Sequence, residues 1–231
     1  MNEEQQAITD LAQQTEKPAA PSLTMSVKAR IWGNPESGAV EPDLSPEARQ
    51  DVMRNGKKRC IYCGIASEHN QIHNLNDNHA DTSPANMRPA CPLCHGWAHL
   101  EALADGKANL AALPGLRAED INHLQRAIML AMRSGNEDLR KDAEAVYGWL
   151  DNHRIHVNEN FFTYDPAEFA AAINRLPADL RPNKEAVLAH LAVVFNPEKF
   201  PVSSEWLADV GKDFPVDTWE DTYKELWHSA A

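Results

Sequence analysis

Apolar residues recur three and four apart through much of the second half of the chain, the spacing of amphipathic helices. Ala118–Arg133 carries Ile121, Leu124, Ile128, Leu130 and Met132 on such a stripe, and Asn136–His153 carries Leu139, Ala143, Val146, Tyr147 and Leu150. Asp165-Pro166 opens another helix that ends near Leu176, and Lys184–Phe195 reads as a compact apolar helix stopped by Asn196-Pro197. The last predicted helix, Asp217–Trp227, repeats Trp219, Tyr223 and Trp227 four apart, a stripe suited to a core or a docking face. Further upstream, Ser45 can cap free N–H groups, Pro46 suits the first turn and Glu47 the positive dipole end. That helix runs to about Asn55, with Gly56 as its stop.

Between residues 57 and 103 the helical period gives way. Arg59–Tyr62 and Gln71–Leu75 read as strands, NDNHADTSPAN as a loop, and a helix starts around Cys94, carrying His95, Ala98, His99 and Ala102 outward. Residues 1–43 hold repeated prolines and neither period, which predicts a flexible tail. The expectation is an α+β chain, mainly α, in three parts: a tail over 1–43, a cysteine module over 44–104 and a helical region over 105–231.

Charge narrows the partners. The 231 residues carry a net charge of −12, opposite to what a phosphate-binding surface needs. The basic residues are partly segregated: Arg54, Lys57, Lys58, Arg59 and Arg88 oppose only Glu68, Asp77 and Asp81 between Arg54 and Leu100. From Glu205 to Glu225, seven carboxylates face two lysines. Nucleic acid is therefore an unfavoured partner. The longest apolar run, AVLAHLAVVF, is well short of the ~20 residues that span a bilayer. MNEEQQAITD is acidic and polar, unlike a secretory signal, so the cysteines are expected in a reducing compartment.

All four cysteines lie in two C-x-x-C knuckles, Cys60/Cys63 and Cys91/Cys94. In a reducing compartment such pairs read as metal ligands before disulfides. Four thiolates give a closed tetrahedral sphere, so the expectation is one structural Zn²⁺ that stabilises the fold and does not activate water. Gly64 lets the chain turn towards the sulfurs, and the helix N-terminus at the second knuckle favours thiolate charge. The competing reading of these residues is a pair of redox C-x-x-C motifs. There is no H-E-x-x-H, no glycine-rich phosphate loop and no Ser–His–Asp arrangement.

A four-cysteine clamp around a polar insert is similar to the HNH nuclease module, a ββα element stapled by zinc. In that family a strand histidine is the general base, a loop asparagine orients it, and a histidine near the last knuckle binds a catalytic cation. The resemblance assigns those roles to His73, Asn86 and His95, with His99 and His79 as spares. The family usually has Asp or His just before the strand histidine as a second cation ligand, and here that residue is Ile72.

RCIYCG…HNLNDN…SPANMRPACPLC, continuing into LPGLRAEDINHLQRAIMLAMRSG and LRKDAEAVYGWLDNHRIHVNENF…DPAEFAAAI, resembles the IcmJ (DotN) family over Ser45 to Ile173. That family belongs to the coupling complex of type IVB secretion and related conjugation systems. The resemblance implies an HNH-like zinc module without catalysis, Cys60, Cys63, Cys91 and Cys94 as ligands, and a cytoplasmic position peripheral to the inner membrane. It implies as partners the C-terminal extension of the coupling ATPase, a membrane-associated subunit and small acidic chaperone-like adaptors. Two alternatives stand beside this adaptor reading. One is an HNH-type metal-dependent DNA endonuclease using His73, Asn86 and His95. The other is a zinc-finger regulator that binds nucleic acid through Arg54–Arg59 and Arg88.

Overall fold

The computed structural model describes residues 21–27, 44–177, 179–180 and 183–230, the last five by backbone only. Over these residues the protein is a mixed α+β fold in which helix dominates and two small two-stranded sheets are embedded. Helix α1, Pro46–Asn55, starts as its sequence dictates: Ser45 Oγ accepts from Ala48 N, Pro46 fills the first turn and Gly56 closes the end.

The first sheet pairs β1, Gln71–Asn74, with β2, Met87–Ala90, antiparallel, with His73 opposite Arg88 and Ile72 opposite Pro89. Helix α2, Pro92–Trp97, follows directly, so strand, strand and short helix stand in chain order. The strand expected at Arg59–Tyr62 is absent. That stretch makes one bridge, Arg59 to Ala66, because Lys57 and Lys58 take left-handed backbone and residues 60–64 turn back, with Gly64 N donating to Cys60 O. The partner of β1 is instead β2, whose Met-Arg-Pro-Ala sequence has no strand period.

A 3₁₀ turn, Leu100–Ala102, leads to β3, Ala108–Ala112. Helices α3, Ala118–Arg133, and α4, Glu137–Asn152, have the extents that their apolar periods predict, and Asn136 caps α4 by accepting from Asp138 N and Leu139 N. Helix α5, Arg154–Phe161, continues almost without a break, and α6, Pro166–Arg175, begins at its Asp165 cap. The helix expected over Lys184–Phe195 splits in two. Only α7, Lys184–Leu188, is helical; Leu191–Phe195 is β4, paired antiparallel with β3 so that Val193 faces Leu110. Val193, Val194 and Phe195 are buried between the helices and the rest of the core, an environment that suits β-branched and aromatic side chains on a strand. Helix α8, Ser204–Asp213, was not foreseen; a 3₁₀ turn, Val216–Thr218, then leads into α9, Trp219–Ala230. Of the aromatic stripe on α9, Trp219 packs against the core and Tyr223 is exposed, while the Trp227 side chain lies outside the described residues.

Residues 21–27, assigned by sequence to the tail, are part of the core. Leu23, Met25 and Val27 alternate inward and are buried. Ser26 N donates to Trp97 O (2.8 Å), Leu100 N donates to Ser26 O (3.2 Å), and Lys184 Nζ donates to Met25 O (3.0 Å). The alternation Leu-Thr-Met-Ser-Val carried this signal in a short form, hidden among prolines. The rest of the 1–43 expectation lies outside the described residues. One cluster of buried side chains runs from Leu23 through the cysteines to Val210, crossing the boundary drawn at residue 104. Among the described residues no helix is long and apolar enough to cross a membrane.

Candidate metal centre

The two knuckles meet. One sulfur from each of Cys60, Cys63, Cys91 and Cys94 lies within 4.8 Å of the others, and none is in a disulfide. Cys63 Sγ and Cys91 Sγ are 3.7 Å apart. Thiolates at tetrahedral angles around an ion with 2.3 Å bonds stand about 3.8 Å apart, so the spacing suits a single metal ion. A pair of independent redox motifs has no reason to converge in this way.

Local structure explains the convergence. Cys60 N donates to Ile65 O, and Gly64, at φ +75°, allows the tight return between them. Cys91 is the N-cap of α2 and its sulfur accepts from Cys94 N at 3.4 Å. The Gly64 N–H itself donates to Cys60 O (2.9 Å).

Sequence reasoning missed what lies behind the sulfurs. Asn122 and Arg126 of α3 are 0% and 3% exposed, polar residues on a face that should be apolar. Asn122 Nδ2 donates to Cys94 Sγ (3.4 Å) and Arg126 Nη1 points to Cys63 Sγ (3.8 Å). Asn122 Oδ1 accepts from Trp97 Nε1 and Gln125 Nε2, both at 3.2 Å. Gln125 reaches on to β4, donating to Val193 O (3.0 Å) and accepting from Phe195 N (2.6 Å). Burial pushes the Cys91 thiol well above its usual range, whereas hydrogen bonds from Cys60, Cys91 and Cys94 hold Cys63 well below it. Four clustered sulfurs, three of them on buried residues, that share protons so unevenly need a cation before all of them ionise.

A second cluster lies near the first, linked to the first knuckle through Tyr62. His73, His95 and His99 each bring one ring nitrogen within 4.8 Å of the others. His73, on β1, is 2% exposed, and His99, just past the C-terminal end of α2, is 5% exposed. Helix α2 ends at Trp97, so His99 folds back towards His95 and is not carried outward; their Nε2 atoms are 3.0 Å apart. His73 Nε2 is bonded to Tyr62 Oη at 2.8 Å, and His99 Nδ1 faces Glu101 Oε1 at 3.4 Å. The His79 ring stands edge-on to His99, centroids 5.1 Å apart. Burial, with His99 and His79 nearby, pushes His73 down to about 4, so its ring is neutral at pH 7. Burial likewise holds the Tyr62 phenol in its protonated form.

Asn86 comes near this cluster in sequence but its amide serves the loop. Its Oδ1 accepts from Asn76 N (3.0 Å) and its Nδ2 donates to Asp81 O (2.8 Å). Ile72 sits on the strand and brings no ligand atom. Tyr62 and Glu101 carried no recognisable motif; only the folded chain brings them to the histidines.

Two of the basic residues meet carboxylates and two bond to backbone carbonyls. Arg54 pairs with Asp51 and Lys58 with Glu68, Arg59 Nη1 donates to Gly64 O, and Arg88 Nη1 donates to Pro84 O.

An apolar groove of about 360 Å³ opens between α5, α6 and α7, lined by Phe161, Phe169, Ile173, Leu176, Leu180 and Val187 among others. Beside it Phe162, in left-handed backbone at the end of α5, is 90% exposed.

Comparison of the chain with models of known protein families gives no match, and comparison with curated protein sequences gives none either.

Proposed function

We propose that this chain is a zinc-stapled, non-catalytic adaptor subunit of a type IVB-like secretion or conjugation coupling complex. In this reading the sulfur cluster holds one Zn²⁺, β1, β2 and α2 form an HNH-like module around it, and the helical side of the molecule takes the C-terminal extension of the coupling ATPase. The complex then holds the chain on the cytoplasmic face of the inner membrane, beside a membrane-associated subunit and small acidic chaperone-like adaptors.

The observation that carries the reading is the groove between α5, α6 and α7. Its lining is almost wholly apolar, and Phe162, Val187 and Leu180 at its margin are exposed. Apolar surface of this kind, open to water, marks a docking site for a partner's apolar side chains. With a net charge of −12 on the chain, the complementary partner segment is apolar with basic flanks. The pairing of Arg54 and Lys58 with carboxylates, on a chain of net charge −12, weakens the nucleic-acid regulator reading. The endonuclease reading keeps one observation in its favour, the imidazole cluster of His73 and His95, against the commitment of Asn86 to its loop.

One preparation tests both. Full-length protein is mixed with the ATPase tail, beside Val187→Asp and Leu180→Asp, which alter exposed side chains. Binding by the parent chain that weakens at least tenfold in the variants is expected. Absence of a complex, or affinity indifferent to both changes, sinks the adaptor reading. Plasmid cleavage with Mg²⁺ or Mn²⁺ that disappears in His73→Ala establishes the endonuclease instead.

A further inference from the structure

We infer that His73, His95 and His99 form a second metal site, distinct from the sulfur cluster, which takes one divalent transition-metal ion through three imidazole nitrogens. Tyr62 and Glu101 are its positioning residues.

The ligand atoms are already gathered. Zn–N bonds of 2.0–2.1 Å at tetrahedral angles put two nitrogens about 3.3 Å apart. His95 Nε2 and His99 Nε2 are 3.0 Å apart, and one nitrogen of His73 lies within 4.8 Å of both. Two imidazole lone pairs facing each other at that distance repel unless a proton or a cation stands between them.

The opposite ring nitrogens are held as they are in metal sites. A ligating histidine gives its other N–H to a carboxylate, carbonyl or hydroxyl, which fixes the tautomer and aims the lone pair. His99 Nδ1 faces the Glu101 carboxylate, leaving Nε2 for the ion. His73 Nε2–H donating to the Tyr62 oxygen leaves Nδ1, which is buried and has no hydrogen-bond partner among the described residues. A buried polar atom without a partner is uncommon in folded proteins and asks for a ligand. The rings are also fixed by one another: His73 stands edge-on to His95 at 84°, and His95 to His99 at 63°.

Chemistry selects the ion. Three neutral imidazoles suit zinc, nickel, copper or cobalt and not the hard cations Mg²⁺ or Ca²⁺, which need oxygen ligands. Glu101 is engaged with His99. Three protein ligands leave a fourth position for water or for a side chain of a partner.

This ligand set differs from the endonuclease arrangement, in which the residue before the strand histidine holds the cation and the strand histidine is free as base. Ile72 offers no ligand, and His73 is itself a ligand here. An ion on His73 Nδ1 removes that lone pair from general-base use, so the site stands with the adaptor reading and competes with the endonuclease one. It does not depend on the groove.

The test is metal stoichiometry on the full chain. Protein saturated with zinc and desalted is expected to hold two ions per chain, and one after His99→Ala or His73→Ala. Cobalt substitution separates the sites: the sulfur cluster gives strong thiolate-to-metal charge transfer, and the histidine site only weak visible bands, lost in the histidine variants. Tyr62→Phe and Glu101→Gln keep all three imidazoles and are expected to weaken the second ion 10–100-fold. They guard against a histidine variant that simply unfolds. A single ion per chain, with cobalt on sulfur alone, overturns the inference. So does a second ion that persists in a folded His73→Ala protein.

Discussion

Gly96 sits in the last turn of α2, between the second knuckle and His99, in a helix where alanine has the better propensity. A Cβ there meets the Phe195 ring at 2.8 and 2.9 Å, and Phe195 is itself pinned against Phe200, ring centroids 4.3 Å apart. The helix-propensity gain from Gly to Ala is about 1 kcal/mol, whereas overpacking a core costs roughly 1–3 kcal/mol. Gly96→Ala is therefore expected to destabilise the protein by about 1 kcal/mol net, read from the urea unfolding midpoint. An unchanged or raised midpoint means that Phe195 yields freely and does not hold the second sheet against α2. The residue is small because β4 needs the space, a reason that no pattern local to CPLCHGWAH contains.

Helix α3 shows how an element can satisfy its period and still mislead. Its Ile121 and Ile128 are buried as the stripe requires, but Leu124 is turned to solvent and Asn122, Gln125 and Arg126 take buried places. Spaced three and four apart, those polar residues form one row that links the sulfurs to β4. Each has its partners, which is what makes the burial tolerable. Arg126→Leu and Asn122→Leu are expected to lower zinc affinity 10–100-fold in competition with a chromophoric chelator. Asn122→Leu carries an added cost of roughly 1–3 kcal/mol in stability, since Trp97 Nε1 and Gln125 Nε2 lose an acceptor. Affinities equal to that of the parent chain in both variants refute a part for α3 in tuning the thiolates. The amphipathic period was legible; the polar row was not, because its partners come from residues 63, 94 and 193.

For the whole molecule the sulfur cluster is a joint, not an appendage. The same buried cluster includes Cys60, Cys91, Cys94, Trp97 and Trp206. Helix α8 is tied to the knuckle side by Trp206 Nε1 donating to Asn70 Oδ1 (3.0 Å) and Ser67 Oγ donating to Asp209 Oδ2 (3.0 Å). Structural zinc contributes about 10–16 kcal/mol in small zinc domains, as much as the whole stability of a typical domain. Stripping zinc with a chelator is therefore expected to unfold more than residues 44–104, with Trp206 becoming exposed and its fluorescence shifting to the red. Readdition of Zn²⁺ should restore the signal. A chelated protein with an unshifted tryptophan spectrum shows that the core stands without the metal.

Sequence alone picked out the four cysteines that cluster, the starts of α1 and α6 and the extents of α1, α3, α4 and α6, because each rests on local chemistry: knuckle spacing, a capping side chain, a period over ten or more residues. It also brought forward His73, His95 and His99, though with His99 only as a spare. Tertiary structure decided the rest. Leu191–Phe195 becomes a strand because Ala108–Ala112, far away in the sequence, supplies its hydrogen bonds. Residues 21–27 enter the core because Trp97, Leu100 and Lys184 bind their backbone. Tyr62, Glu101, Asn122 and Arg126 acquire their places around sulfur and imidazole only when the chain closes, since a long-range contact leaves no period in the sequence.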